Sequence, residues 1–355
     1  MNINDISRQR LINQQIAEPQ FNSVKEVVQW MGAMQAQDFN MAKWAVGVRI
    51  PGVTEVQVNA AIDSGDILRT HVLRPTWHFV SPKDIGWMLD LSAEHIKTAM
   101  RSRDKQLGLT DAVYRKSNAV IEKALIGNNH LTRTELSEIL NSAGIALDNN
   151  RASHLFVRAE IEKIICSGKN KGKQPTYALL SERVEKPLQL NRDEALAELA
   201  RRYFISHGPA TQQDFIWWSG LSVKEVRQAM ESVKDEFICE NIQDQIYWFS
   251  KVRDVNKVDE NKIYLLPAFD EFIISYKDRT ASLPYKDHVK AVSNNGVFRP
   301  VIVQNGSVIG IWKRILKKDK VLLETEFFMR DYKDLQKKAE KSFKSYIEFL
   351  GLSRF

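Results

Sequence analysis

The chain has 355 residues, 43% of them hydrophobic and 27% charged, a composition typical of a globular protein of two or three domains. It contains no window of about 18 uninterrupted apolar residues, and residues 1–10 lack the apolar core of a secretory signal. We therefore expect a cytoplasmic protein with no membrane contact. Cys166 and Cys239 are the only cysteines, which excludes a disulfide framework and a thiolate zinc site, and we expect both to be buried thiols.

The net charge of +7 is unevenly distributed along the chain. Residues 101–190 and 256–355 carry net charges of +5 and +6, whereas residues 1–100 and 191–255 carry −1 and −3. Such a distribution indicates a side that faces a polyanion such as nucleic acid. A lysine-rich surface that only maintains solubility is the alternative at this point.

The first 190 residues show the same order of elements twice. Apolar spacing predicts helices over 6–16, 24–35 and 56–64, followed by a hairpin within 67–80. Further along, it predicts helices over 117–125 and 153–165, and Thr132 and Glu135 stand three apart as in the capping box of an intervening helix. A turn rich in glycine and lysine then separates two apolar runs, as in a β-hairpin. Three helices and a hairpin in this order predict a winged helix-turn-helix.

The remaining chain predicts a third copy of this unit and a different final domain. Helical spacing over 194–206, 215–219 and 223–230 precedes two short apolar runs. After residue 257, short strands and the turn Asn305-Gly306 lead to a helix that starts near Tyr332. We therefore predict a mainly α chain with β-hairpin wings, of the α+β class. Three tandem winged helix-turn-helix units would occupy 1–100, 101–190 and 191–256, and a small β-rich domain would occupy 257–355.

Two glutamines bracket an alanine at the end of the second predicted helix. On a continuing helix, the side chains of Gln35 and Gln37 would point about 200° apart, so they converge only if the helix ends before them. Solvent-exposed or capping glutamines are the alternative.

The hairpin within 67–80 is richer in polar groups than a structural wing needs. Strand parity places Arg74, Thr76 and His78 on one face, and Pro75 leaves the alignment of His71 open. Two histidines without a third ligand at suitable spacing do not make a metal site. We predict no metal and no cofactor, and expect hydrogen-bonding or phosphate-contacting roles for these side chains.

Three blocks of this sequence resemble the bacterial winged-helix DNA glycosylases, a family that includes enzymes for alkylated and interstrand-crosslinked purines and the azinomycin-resistance glycosylase. The blocks are the glutamine pair preceded by residues 10–14, the hairpin segment 71–80, and the C-terminal segments 265–272, 278–279 and 306–312. The resemblance spans nearly the whole chain.

The resemblance implies tandem winged helices and a β-barrel-like domain around a DNA-sized channel, with Gln35 and Gln37 as the catalytic pair. A sister branch of the family carries aspartate at the position of Gln37. Asp38 is the next residue, and whether it contributes to catalysis stays open. With Asp38, the hairpin residues His71, Arg74, Thr76 and His78 would border the active site. In the C-terminal block, Asp270, Glu271, Asp278 and Arg279 form either an ion-pair network or part of the channel wall.

The glutamine pair limits the chemistry. Hydrolysis of an N-glycosidic bond passes through an oxocarbenium-like sugar, and a neutral amide can orient water but has no basicity. It suffices only where the leaving base is already cationic, as in an N7-alkylated purine. We therefore predict a monofunctional DNA glycosylase for such purines, and leave open whether interstrand crosslinks are substrates. The alternative is a non-enzymatic winged-helix DNA-binding protein or transcription regulator.

Clustered cations are the predicted contacts to double-stranded DNA. They lie in the second hairpin and in the C-terminal domain, and comprise Lys169, Lys171, Lys173, Lys313, Arg314, Lys317 and Lys318. A solvated face is the alternative. We expect a nucleoid-associated protein with no obligate protein partner.

Overall fold

The computed structural model describes residues 1–317 and 320–352 and shows a mixed protein, 49% helical and 18% strand. The chain divides into two compact units. Unit 1 comprises residues 1–58, 197–218 and those from 222 onward, and unit 2 comprises residues 59–196 and 219–221. Within the described ranges, no helix is both long enough and apolar enough to cross a membrane.

The helices are numbered in chain order. They are α1 (Ile3–Asn13), α2 (Val24–Met31), α3 (Phe39–Gly47), α4 (Glu55–Ser64), α5 (Ile85–Gln106), α6 (Asp111–Leu125), α7 (Arg133–Ser142), α8 (Asn149–Ile161), α9 (Leu180–Arg183), α10 (Arg192–Ser206), α11 (Gln212–Ser219), α12 (Val223–Val233), α13 (Glu271–Ile274), α14 (His288–Ala291) and α15 (Lys333–Phe349).

The strands are numbered in the same way. They are β1 (Ala33–Gln35), β2 (Leu68–Val72), β3 (Thr76–Val80), β4 (Leu131–Thr132), β5 (Ile165–Ser167), β6 (Thr176–Leu179), β7 (Ile238–Ile242), β8 (Gln245–Phe249), β9 (Ile263–Leu266), β10 (Val301–Gln304), β11 (Ser307–Lys317) and β12 (Lys320–Phe327).

Unit 1 contains a four-stranded antiparallel sheet in the order β12-β11-β10-β9 and the separate hairpin β7-β8. The predicted Asn305-Gly306 turn is confirmed: both residues have positive φ, 50° and 82°, and they join β10 to β11 with Gln304 opposite Ser307. Leu11 and Ile12 of α1 pack in one core with residues of β9 and β10. The first helix of the chain thus shares its core with strands near the other end of the sequence.

Unit 2 contains the sheet β4-β6-β5, the antiparallel hairpin β2-β3 and the helices between them. The predicted capping box is confirmed, because Thr132 accepts the main-chain N–H of Glu135 and the Glu135 carboxylate accepts that of Thr132. Apolar side chains of α6, α7 and α8, such as Ile121, Leu136 and Leu155, form the core of this unit.

Four details of the sequence analysis need correction. Helix α1 spans Ile3–Asn13 and does not reach residue 16, since Gln15 has φ 63°. Helix α2 ends at Met31 because Gly32 adopts φ +74°, so the chain turns before Gln35. Helix α8 ends at Ile161, since Lys163 has φ 61° and strand β5 then begins. Cys166 is buried, but Cys239 is exposed, because it lies in a two-stranded hairpin. The predicted helix and hairpin segments exist, and their grouping into tandem winged helices stays a prediction.

Candidate active site around the glutamine pair

The segment that carries the two glutamines leaves helix α2 abruptly. Ser23 and Glu26 form a capping box at the start of α2, and the left-handed Gly32 stops the helix one turn before the pair. Strand β1 then runs to Gln35. The side chain of Gln35 is 5% exposed, whereas Gln37 is exposed to solvent. The two amides therefore occupy different environments although only one residue separates them.

A hydrogen bond joins the two glutamines. The Gln35 Oε1 atom accepts the main-chain N–H of Gln37, with an N–O distance of 2.6 Å. This bond uses the carbonyl of Gln35 to hold the backbone from which the Gln37 side chain projects. Gln35 is thus the buried amide of the pair, and Gln37 is the amide exposed to solvent.

A buried carboxylate holds the other side of Gln35. The Glu271 Oε1 atom accepts the main-chain N–H of Gln35 at 2.6 Å. Its Oε2 atom accepts the Trp218 indole N–H at 3.2 Å and the hydroxyl of Ser275. Glu271 is 2% exposed, so these bonds replace the water that a carboxylate normally binds.

Next to this carboxylate lies a buried ion pair. Arg49 contacts Asp270 through two parallel bonds, Nη1 to Oδ2 at 2.8 Å and Nη2 to Oδ1 at 2.9 Å. The same Oδ1 atom accepts the main-chain N–H of Phe272 and so caps the short helix α13. Asp270 and Glu271 thus have different partners: Asp270 neutralises Arg49, and Glu271 fixes the glutamine segment.

The histidine that faces Glu271 is fully buried. His207 Nε2 lies 3.5 Å from Glu271 Oε2, and His207 Nδ1 lies 2.8 Å from Ser206 Oγ. Burial lowers the pKa of His207, and the neighbouring Glu271 opposes that shift. Nothing in the spacing of the sequence connects Gln35, His207 and Glu271, and the only available signal was that Glu271 belongs to a block resembling the glycosylase family.

The remaining acidic and basic residues of the resembling blocks have local partners. Asp38 caps α3, since its Oδ1 accepts the N–H of Met41 at 3.0 Å. Asp278 accepts the N–H and the hydroxyl of Thr280, and Arg279 Nε donates to the carbonyl of Ile273. Asp278 also accepts a hydrogen bond from Gln245 of β8 at 3.1 Å, so the described contacts of these side chains are structural.

The predicted border residues of the hairpin lie in unit 2. His71 Nδ1 is 2.6 Å from Oε2 of the buried Glu160, and His78 Nδ1 is 2.9 Å from the carbonyl of Thr76. Arg74 lies in the turn between β2 and β3, after a residue with positive φ, so strand parity does not extend to it. A common site of these residues with the glutamine pair stays a prediction.

The predicted phosphate contacts fall into two groups. Lys169, Lys171 and Lys173 are exposed in the turn between β5 and β6, where Lys171 pairs with Glu135 at 2.7 Å. In the C-terminal sheet, Lys313 pairs with Glu324 at 2.8 Å, Arg314 donates to the hydroxyl of Tyr346, and Lys317 is exposed. Lys318 lies outside the described residues. These surfaces present cations, some of which are already paired with carboxylates.

Comparison with known proteins defines the class of this chain. Its fold is similar to that of the DNA glycosylase AlkZ from Streptomyces sahachiroi, with a TM-score of 0.83 and 21% identity, covering 100% of this chain and 98% of that one. Its sequence is 25% identical over 334 residues to the interstrand DNA cross-link repair glycosylase of the same organism, covering 89% of this chain and 88% of the relative. Together with the family model that matches residues 28–349, these similarities define a DNA glycosylase, an enzyme of DNA repair.

The family follows from the sequence match. The model of the family described as DNA glycosylase AlkZ-like matches residues 28–349, which includes the glutamine pair and most of the chain. The chain belongs to the AlkZ-like DNA glycosylase family. The resemblance drawn from the sequence blocks is therefore confirmed, and the transcription-regulator alternative is not favoured.

Proposed function

We propose that this enzyme hydrolyses the N-glycosidic bond of cationic N7-alkylated purines in double-stranded DNA, with Gln37 in contact with the substrate and Gln35 as its brace. The observation that supports this division is the 2.6 Å bond from the main chain of Gln37 to the buried Gln35 side chain. It leaves the exposed Gln37 amide on a fixed backbone. Fixed polar groups of this kind accelerate a reaction by positioning.

The reaction fits a neutral amide. Water attacks C1′ of the sugar, the bond from C1′ to the purine breaks, and its electron pair neutralises the positive charge of the alkylated base. Gln37 Oε1 accepts a hydrogen bond from that water and orients it, and the water loses a proton to solvent. In this proposal Asp38 is a helix cap rather than a base, since its Oδ1 accepts the N–H of Met41 at the start of α3.

The same reasoning sets the substrate range. A neutral base such as uracil needs protonation as it leaves, which an amide cannot supply. An interstrand crosslink attached through purine N7 carries the same positive charge as a simple N7-alkyl lesion. We therefore include such crosslinks among the proposed substrates, in keeping with the name of the S. sahachiroi relative.

Single-turnover release of N7-methylguanine from a duplex tests the proposal. Gln37→Ala should lower the rate tens- to hundreds-fold and leave DNA affinity nearly unchanged, because one neutral side chain contributes little to a phosphate-dominated interface. Gln29→Ala is the matched control, since Gln29 is an exposed glutamine on the preceding helix. A Gln37→Ala enzyme with the wild-type rate would refute the catalytic role. Wild-type release of uracil at the rate of N7-methylguanine would refute the substrate class.

A further inference from the structure

The hydroxyl of Ser206 determines the protonation of one His207 nitrogen. Ser206 Oγ has one hydrogen, which it donates to the carbonyl of Arg202 at 2.7 Å, one helical turn earlier. Its oxygen can then only accept at the 2.8 Å contact with His207 Nδ1. His207 Nδ1 therefore carries a hydrogen, and a neutral His207 has its lone pair on Nε2.

That lone pair faces a carboxylate. His207 Nε2 has no hydrogen-bond partner among the residues that the structure describes. Glu271 Oε2 lies 3.5 Å from it. Both Glu271 oxygens already accept hydrogen bonds, from Gln35, Trp218 and Ser275. A neutral imidazole opposite an ionised carboxylate would place two acceptors face to face where neither meets water.

A proton between the two groups removes this conflict. We propose that Glu271 and His207 share one proton and that Glu271, through the main-chain N–H of Gln35, is a positioning residue for the glycosylase reaction; this inference rests on the catalytic role proposed for the glutamine pair. The shared proton turns two opposed acceptors into one charge-assisted hydrogen bond. Glu271 Oε1 still accepts the main-chain N–H of Gln35 at 2.6 Å in this arrangement.

The surrounding charges are compatible with this pair. Arg49, two residues after the end of α3, and Asp270, at the start of α13, face this pair, but they neutralise each other through their two parallel bonds. Tyr203 stacks on the His207 ring at 5.1 Å, and burial keeps the pKa of its phenol well above the ordinary value, so it supplies no charge. Within this cluster, His207 Nε2 and Glu271 Oε2 face each other directly at 3.5 Å.

Two substitutions at Glu271 separate positioning from simple stability. Glu271→Asp retracts the carboxylate by about 1.5 Å, beyond hydrogen-bonding distance of the Gln35 N–H. Glu271→Gln keeps a carbonyl for Gln35 and places an N–H opposite His207 Nε2, as the shared proton does, at the cost of the acceptor that Oε2 provides for the Trp218 N–H. We expect the single-turnover rate to fall at least about tenfold in Glu271→Asp and to stay within about fivefold of wild type in Glu271→Gln.

The pH profile provides a readout that a structural role would not change. In the wild type, loss of the shared proton at alkaline pH should lower the rate, because it restores the opposed acceptors beside Gln35. Glu271→Gln should lack this alkaline limb, since its amide has no proton to lose in this range. Asp104→Asn is the control: Asp104 also hydrogen-bonds a histidine, His154, but lies in unit 2 and does not contact Gln35. It should retain the wild-type profile.

A measurement independent of activity keeps this inference separate from the proposed substrate. The nitrogen NMR signals of His207 can be measured in protein with nitrogen-labelled histidine and assigned by their loss in His207→Phe. Nδ1 should have the chemical shift of a protonated nitrogen. The chemical shift of Nε2 should lie between that of a protonated nitrogen and that of a nitrogen with a free lone pair. An unshared Nε2 lone pair, or identical alkaline limbs in the wild type and Glu271→Gln, would overturn the proposal. Should the wild type not release N7-methylguanine while the NMR result holds, the substrate assignment fails and the proton pair stands.

Discussion

Removal of Asp270 provides the sharpest test of the packing beneath the site. Arg49 is 0% exposed, and its guanidinium also donates to the carbonyl of Ala45 and to Gln14. In Asp270→Ala the Arg49 guanidinium keeps those neutral acceptors but loses the buried carboxylate that neutralises it among the residues the structure describes. Breaking a buried pair by removing one partner costs about 3–5 kcal/mol. That is a fifth or more of the roughly 5–15 kcal/mol that stabilises a typical domain.

Urea unfolding followed by tryptophan fluorescence and circular dichroism measures this cost. With a slope near 3 kcal/mol per molar urea, the midpoint should fall by about 1–1.7 M. If the two units unfold separately, the loss belongs to the transition of unit 1, which contains both residues.

Two further variants make the result interpretable. Asp270→Asn keeps one oxygen, at the position of Oδ1, which can still accept from the Phe272 N–H and from Arg49 Nη2, so it should cost less than Asp270→Ala. The double variant Arg49→Met, Asp270→Leu removes both charges and should be more stable than the sum of its single changes predicts. A loss below about 1 kcal/mol in Asp270→Ala, or strict additivity in the double variant, would refute the ion-pair argument.

Three other predictions concern separate parts of the chain. Gly220→Ala should lower the free energy of unfolding in urea by about 1 kcal/mol more than Gly52→Ala. Both glycines have positive φ, but a Cβ at Gly220 would lie 2.9 Å from the Leu73 carbonyl oxygen, whereas a Cβ at Gly52 would meet nothing within 4 Å. Alanine at all three lysines of the β5–β6 turn should reduce the slope of log affinity for duplex DNA against log salt by roughly 2–3, and an unchanged slope would exclude this turn from the interface. A hydrogen bond from Lys171 lowers the pKa of Glu135 to about 2. The stabilisation from ionised Glu135 is therefore present above pH 4.5 and is lost as the pH falls toward 2. Lys171→Met should raise the pKa of Glu135 in a carbon NMR titration.

Features coded by neighbouring residues were predictable from the sequence. The Thr132 and Glu135 capping box and the Asn305-Gly306 turn depend on side chains within a few positions of each other, and both are present as predicted. The end of α2 was misplaced because apolar spacing continues past Gly32, although a glycine at that position is itself a common helix stop.

The support of the candidate site was not predictable in this way. The bond between Gln35 and Glu271 joins residues 236 positions apart, and the His207 contact adds a third segment. Period and spacing describe one element at a time, so they cannot show which distant carboxylate will meet which main-chain N–H. The family resemblance pointed to both segments, and only the fold connects them.

The distance between Gln35 and Glu271 along the chain also has a consequence for synthesis. At about 5–20 residues per second, the 236 residues that separate them take roughly 12–47 s to translate. During that interval the glutamine segment exists without the carboxylate that holds it, while the whole of residues 59–196, most of unit 2, is made and can begin to fold. The candidate site therefore begins with one of the first segments to leave the ribosome but is completed only after residue 271 is made, and a nascent chain that stops before that residue carries both glutamines without the carboxylate that holds Gln35.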